Sequence, residues 1–197
     1  MPKIVDHQKR KEQLAEATWR VIRREGLEGF SARRIANEAG ISLGSLRHYF
    51  ETQAELLTFS MQLVTQRVNS RIELLPFTGD IRRDIEMIIA ELLPLDEQRL
   101  AEAELWLTFA GKAISNPAIR AISLEIHDEL YDGFRRMIDS LILQKLAKAG
   151  IDAEHETKGL HALVDGLVVH RTIFPERVRE EDLMRIVSNH LDRIFKG

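Results

Sequence analysis

The 197-residue chain contains no cysteine, which excludes a disulfide framework, a thiolate zinc site, an iron–sulfur cluster and a cysteine nucleophile. Any metal would rest on histidine and carboxylate ligands alone, and neither a metal nor a cofactor is expected. Five prolines and 11 glycines are too few for collagen-like or low-complexity sequence. No purely apolar run exceeds a few residues, and the opening Met1-Pro2-Lys3-Ile4-Val5-Asp6 has no apolar stretch, so the expectation is a cytoplasmic chain that neither crosses a membrane nor carries an export signal. Alternation of apolar and β-branched with polar residues is also missing, as are Asn-Gly hairpin turns, which argues against a sheet. What is present, 44% hydrophobic and 30% charged residues, describes a soluble globular protein of one domain or two small ones sharing a core.

Charge is unevenly spread. Residues 1–50 hold 10 Lys and Arg against 6 Asp and Glu, a balance of +4, whereas residues 51–197 hold 18 against 25, a balance of −7. Such asymmetry fits an N-terminal part that meets a polyanion, and on charge alone it fits chance scatter equally well.

The repeating signal is helical. Leu57, Met61, Val64, Val68, Ile72 and Leu75 recur at three- and four-residue steps, as do Ile81, Ile85, Ile88 and Leu92, and then Leu100, Ala103, Leu107, Ala110 and Ile114. Ile126, Leu130, Phe134, Met137 and Leu141 continue it within a segment from about Asn116 to Ala149. Two further stripes follow, Leu160, Leu163, Leu167 and Phe174, then Leu183, Val187, Leu191 and Ile194. They break at Pro76, Pro94, Asn116-Pro117, Gly150 and Pro175, and Asn116, Asp96 and Asp152 are placed to cap. With three shorter helices before residue 51, the chain reads as all-α with about nine helices and no internal repeat.

Residues 31–50, SARRIANEAGISLGSLRHYF, carry the most information. Ser31 can cap a short helix to about Glu38 on which Ile35 and Ala36 face inward, and Ala36 is small enough for a second helix to cross close by. Gly40 sits where a sharp turn needs positive φ. Ile41 plugs the turn, Ser42 caps the next helix, and Leu46 with Phe50 anchors it. This spacing of small residue, glycine and two apolar residues is the helix-turn-helix pattern, whose two helices share one tiny core and tolerate no insertion. Outward the second helix shows Leu43, Gly44, Ser45, Arg47, His48 and Tyr49, a mixture suited to base edges and phosphates. Upstream, Lys3, Lys9, Arg10 and Lys11 read as a basic lead-in or as an ordinary solvated terminus.

On these residues the chain resembles the TetR family of transcriptional regulators. The matching positions are Leu14, Ala17 and Gly26, then Ser31, Ile35, Ala36, Ala39, Gly40, Ile41 and Ser42, then Leu46, Tyr49, Phe50, Glu55, Leu56 and Leu57. The remainder resembles a BetI-type ligand domain through Leu105-Trp106-Leu107 with Phe109, Asn116-Pro117 and Ala162-Leu163-Val164-Asp165-Gly166-Leu167. Two positions depart, since the family usually has Tyr where Arg47 stands and Lys where Gln53 stands, both of which approach the DNA backbone. Thr52 with Glu55 still reads as a capping box. Candidate DNA contacts are therefore Lys9, Arg10, Ser31, Arg33, Ser42, Leu43, Gly44, Ser45, Arg47, His48, Tyr49 and Gln53. The resemblance implies a helix-turn-helix DNA-binding domain over residues 1–50 and a ligand-binding and dimerisation domain over 51–197.

Enzyme signals fail on context. Gly40-Ile41-Ser42-Leu43-Gly44 matches G-x-S-x-G, but that elbow needs a strand before its serine, and here a helix precedes it. His155-Glu156 lacks a histidine at the spacing of a zinc helix, and no phosphate-binding glycine loop occurs. Glu104, Trp106, Phe109, His127, Tyr131, Phe134 and His170 can line an effector pocket or belong to bundle core. Leu160, Leu163, Gly166, Leu167, Leu183, Val187, Leu191 and Ile194 are expected to form a dimer interface, because near the C-terminus a monomer would leave one side of these stripes uncovered. The expected protein is a homodimeric repressor that binds a palindromic double-stranded operator and is released by a small-molecule effector. The competing expectation is a ligand-binding or catalytic helical bundle without DNA binding.

Overall fold

The computed structural model describes residues 7–26 and 29–196, and Lys3 of the basic lead-in lies outside them. Among the described residues the chain forms nine helices: α1 His7–Glu25, α2 Ala32–Glu38, α3 Leu43–Tyr49, α4 Gln53–Glu73, α5 Ile81–Leu92, α6 Glu97–Ala113, α7 Pro117–Leu143, α8 Ala153–Ile173 and α9 Glu180–Ile194. No strand is present among them, and a single antiparallel bridge joins Ala147 and Phe195. The all-α class and the helix count agree with the apolar periodicity.

Helix starts follow side-chain chemistry. Each cap supplies an oxygen to amide groups that the helix itself cannot satisfy. Ser31 accepts from the Arg34 amide at 3.3 Å and Ser42 from the Ser45 amide at 3.0 Å. Asp96, Asn116 and Asp152 do the same for the Arg99, Ala118 and Glu154 amides. Thr52 accepts from the Glu55 amide while Glu55 accepts from the Glu51 amide, so the capping pair closes one residue earlier than a standard box. Asp80 caps α5 in the same way through the Arg83 amide.

One boundary differs from expectation. The periodic segment to Ala149 ends as helix at Leu143, because Lys145 turns the chain at φ 60° and the Leu146 amide folds back onto the Leu141 carbonyl. That reversal brings the strand-like stretch to α9, where the Lys148 amide donates to the Ile194 carbonyl and the Lys196 amide to the Leu146 carbonyl.

The chain divides into two compact units, and α4, α6 and α7 contribute to both. The first comprises the described residues up to Arg67 together with Glu104–Ser123. Its core gathers Leu14, Ala17 and Val21 of α1, Ile35 and Ala36 of α2, Leu46 with Phe50, and Leu56 of α4. Around it, the Trp19 indole donates to the Ser60 carbonyl at 3.2 Å, and the Arg67 guanidinium lies 4.7 Å over the Trp19 ring while pairing with Glu16 at 2.5 Å. Trp19 is thus tied to α4 while remaining half-exposed.

The second unit, Val68–Ala103 with the described residues from Leu124 onward, packs Ile85, Ile89, Phe134, Ile138, Leu160, Val164 and Leu167 against the α9 stripe. Arg82 of α5 fastens α9 by donating to the Ser188 carbonyl and hydroxyl and pairing with Asp192 at 2.6 Å. Arg71 ends α4 in a polar clasp, bonded to Glu91 at 2.8 Å and to both oxygens of Glu102. This packing corrects the premise behind the expected interface. Leu160, Leu183, Val187 and Leu191 are 0% exposed, Ile194 1% and Leu167 7%, so α5 and α7 already cover these stripes within one chain. Of the expected interface residues, Leu163 and Gly166 are the ones left half-exposed.

Candidate nucleic-acid interface and effector domain

The turn between α2 and α3 is built by a Schellman motif. The Ile41 amide donates to the Ala36 carbonyl at 2.9 Å, the Gly40 amide to the Asn37 carbonyl at 3.1 Å, and Gly40 adopts φ +65°. Ile41 then joins the small core beside Ala36. Leu46 and Phe50 are 2% exposed, so α3 is anchored along one side only. Away from the core Gly44, Arg47 and His48 are exposed, while Leu43, Ser45 and Tyr49 are half-exposed, Tyr49 packing against the edge of the core. An anchored short helix with a polar, basic and aromatic outer face is what major-groove reading demands.

The remaining candidate DNA contacts occupy neighbouring elements of the same unit. Ser42 caps α3 with its hydroxyl, which explains that serine without any nucleophilic role. Arg33 is exposed on α2, and Gln53 is exposed as the first residue of α4. Lys9 is exposed on α1, and Arg10 donates to Gln13 at 2.8 Å. A residue missed by the sequence reading, His7, begins α1 with its ring 5.1 Å from Tyr49 and 5.8 Å from His48. Only the tertiary fold brings it there, because 41 residues separate His7 from His48.

The candidate effector residues fall into both units. Glu104, Trp106 and Phe109 belong to the first, where the Glu104 carboxylate pairs with Arg23 of α1 at 2.6 Å and the Trp106 ring stacks 6.4 Å from Phe109. Phe109 is fully buried, and Phe134 of the second unit is 1% exposed, so both serve as core. In that second unit the half-exposed Tyr131 follows His127 by one helical turn, and His170 sets its ring edge-on to Phe174.

Sequence reading also missed a buried ionisable group in this unit. His161 is 5% exposed, with its ring 4.8 Å from His127, 5.1 Å from Phe134, and its Nε2 3.5 Å from Asp165. The available signal was a histidine at a core position of the α8 register, one turn after buried Thr157. Among the described residues no group of three histidine or carboxylate side chains is arranged to hold a metal ion. No described helix is long and apolar enough to cross a membrane.

Burial holds the His161 imidazole below its ordinary value, against the pull of Asp165 and aided by His127. Burial acts likewise on His190, whose Nε2 has no hydrogen-bond partner. The neutral ring is therefore the folded form, and the unfolded chain binds protons first as pH falls below the ordinary imidazole value of about 6.5. Stability contributed by these groups is present above that value and is lost as pH drops from about 7 towards 5. Urea midpoints measured across that window are expected to fall, with a smaller decline in His161→Gln and a residual one from His190. Burial holds the Asp165 carboxyl above its ordinary value and works in the opposite direction, so the comparison decides: a decline as steep in His161→Gln as in the parent would contradict the burial of the His161 ring in its neutral form.

Comparison with known proteins matches this architecture on both sides. Residues 14–58 fit the model of bacterial regulatory proteins of the tetR family, and residues 81–196 fit the BetI-type transcriptional repressor C-terminal model. The chain is 42% identical to the HTH-type transcriptional regulator PksA of Bacillus subtilis, covering 98% of this chain and 94% of that protein. A crystal structure of a transcriptional regulator from a Rhodococcus species superposes with a TM-score of 0.82 at 29% identity, over 93% of this chain and 95% of that one. The fold is shared with a transcriptional regulator from Saccharomonospora viridis solved in complex with choline, at a TM-score of 0.84 and 20% identity, over 96% and 100% of the two chains. With a tetR-type helix-turn-helix at its head and a BetI-type domain behind it, the chain belongs to the TetR family of helix-turn-helix transcriptional regulators, which act on DNA and not as enzymes.

Proposed function

We propose that this regulator is a cytoplasmic, homodimeric repressor that holds a palindromic operator through two copies of α3 and releases it when a small molecule occupies the BetI-type domain. The observation that carries the reading is the α2–α3 turn, which buries Leu46 and Phe50 and leaves Arg47 and His48 facing solvent. Residues 1–50 would serve DNA and 51–197 the effector and the partner. In a dimer the two α3 helices would enter successive major grooves about 34–36 Å apart. An effector that binds better to another spacing of the two heads would draw the population off DNA.

The dimer face would be the outer side of α8 and α9. Gly159, Ala162, Leu163, Gly166 and Ile173 recur at helical steps on the open side of α8, and Ile186 stands 38% exposed on α9. Small residues there allow the close helix approach a two-fold contact needs. For the effector, Trp106, His127, Tyr131 and His170 remain candidates. Glu104 is engaged by Arg23, and choline is not carried over from the Saccharomonospora complex, which at 20% identity shares the fold alone.

The test is Arg47→Ala, measured on a duplex selected from random sequence by the protein itself and on unselected DNA. Loss of a bidentate contact to guanine would weaken the selected duplex by about 1–3 kcal/mol and leave the unselected one nearly unchanged. A phosphate role would weaken both alike. Binding unchanged on both would remove Arg47 from the interface.

A further inference from the structure

We infer that His7 and His48, with Tyr49 between them, form one contact to the DNA backbone, and that duplex binding there is accompanied by proton uptake. The inference rests on the DNA-binding reading of α3. The three rings form a closed cluster, with His7 at 5.1 Å from Tyr49, His48 at 5.5 Å from Tyr49, and the two imidazoles 5.8 Å apart. A cluster made for packing would be buried. Here His7 and His48 are both exposed, and Tyr49, which packs against the edge of the small core, is half-exposed.

The surrounding charges favour an anion. On α1, Lys11 sets its ammonium over the Phe50 and Phe59 rings at 5.2 and 5.7 Å, Arg10 is bonded to Gln13, and Glu12 accepts from Gln8 at 3.2 Å. On α3, Arg47 adds a cation. Of the acids flanking the start of α4, Glu55 is occupied by the Glu51 amide at 2.9 Å, and Glu51 itself is exposed. Imidazole is the side chain whose charge changes between pH 5 and 8. Two imidazolium ions this close repel each other, and a phosphate laid against both turns that repulsion into attraction. Binding therefore favours the doubly charged form, and by linkage affinity rises as pH falls. Tyr49 fixes the spacing, its phenol giving the pair a common platform and a donor of its own.

The experiment measures equilibrium binding of the full-length protein to the selected duplex and to unselected DNA from pH 5.5 to 8.5 at constant ionic strength. Circular dichroism at each pH confirms that the fold is intact in the parent, His7→Gln, His48→Gln and the double variant. The parent is expected to bind about tenfold tighter at pH 6 than at pH 8. Each single variant should lose about half of that gain on a logarithmic scale, and the double variant should lose nearly all of it on both duplexes, as a backbone contact requires. An affinity independent of pH in the parent, or one equally steep in the double variant, would overturn the inference while leaving the regulator reading intact. A parent that binds no duplex at any pH would overturn the DNA-binding reading itself.

Discussion

Leu191→Glu is expected to unfold the second unit instead of releasing folded monomers. Leu191 is 0% exposed and belongs to the core that joins α5, α7, α8 and α9. A carboxylate placed there must stay charged in an apolar interior or take up a proton to enter it, and neither route supplies a partner. The expected loss is above about 4 kcal/mol, the range reserved for an unpaired buried charge. That is a large share of the roughly 5–15 kcal/mol by which domains are held folded. Urea or thermal unfolding followed by circular dichroism reads it directly. Ile186→Glu, on the exposed side of α9, should instead keep the helical signal and its cooperative transition while lowering the sedimentation coefficient. A Leu191→Glu protein that unfolds like the parent and merely sediments as a monomer would show that α9 turns its apolar stripe to a partner.

Gly40→Val is expected to lower DNA affinity at least tenfold while leaving the second unit and its assembly unchanged. Gly40 stands at φ +65° with open space around the position of an added Cβ, so the penalty is conformational and not a clash. A β-branched residue in that region is strained by about 1–3 kcal/mol, and relieving the strain opens the Ile41 to Ala36 hydrogen bond that sets α3 across α2. Gly40→Asn should be milder, because asparagine tolerates the left-handed region. The graded series separates backbone strain from lost contacts. Binding by the valine variant at the parent's level would mean that the turn does not position the reading helix.

Much of this architecture is legible in the amino-acid order because its determinants are local. The three- and four-residue steps name the helices, Ser31, Ser42, Asp96, Asn116 and Asp152 mark their starts, and Gly40 marks the left-handed turn between α2 and α3. What could not be read depends on partners distant along the chain. The α9 stripe announces a buried face but not what buries it, and Arg82, more than a hundred residues away, decides that. Glu104 looks like a free carboxylate near aromatic residues until Arg23, 81 positions earlier, is seen beside it. The same holds for His7, which reaches the reading helix only through packing of α1 on α2 and α3. The helix after Pro117 stops at Leu143, where Lys145 turns the chain and leads it into the bridge from Ala147 to Phe195, a long-range pairing that local propensity does not encode.

The most direct measurement of the central claim is the salt dependence of binding to the selected duplex. A helix-turn-helix dimer that grips phosphates must release counterions, so log K should fall linearly with log salt, by about 0.9 for each phosphate neutralised. The account predicts a steep negative slope shared by selected and unselected duplexes, with the selected one held far more tightly at every salt concentration and protected over two half-sites one helical turn apart. Retention of DNA that does not change with salt, or no retention even at low salt, would contradict it.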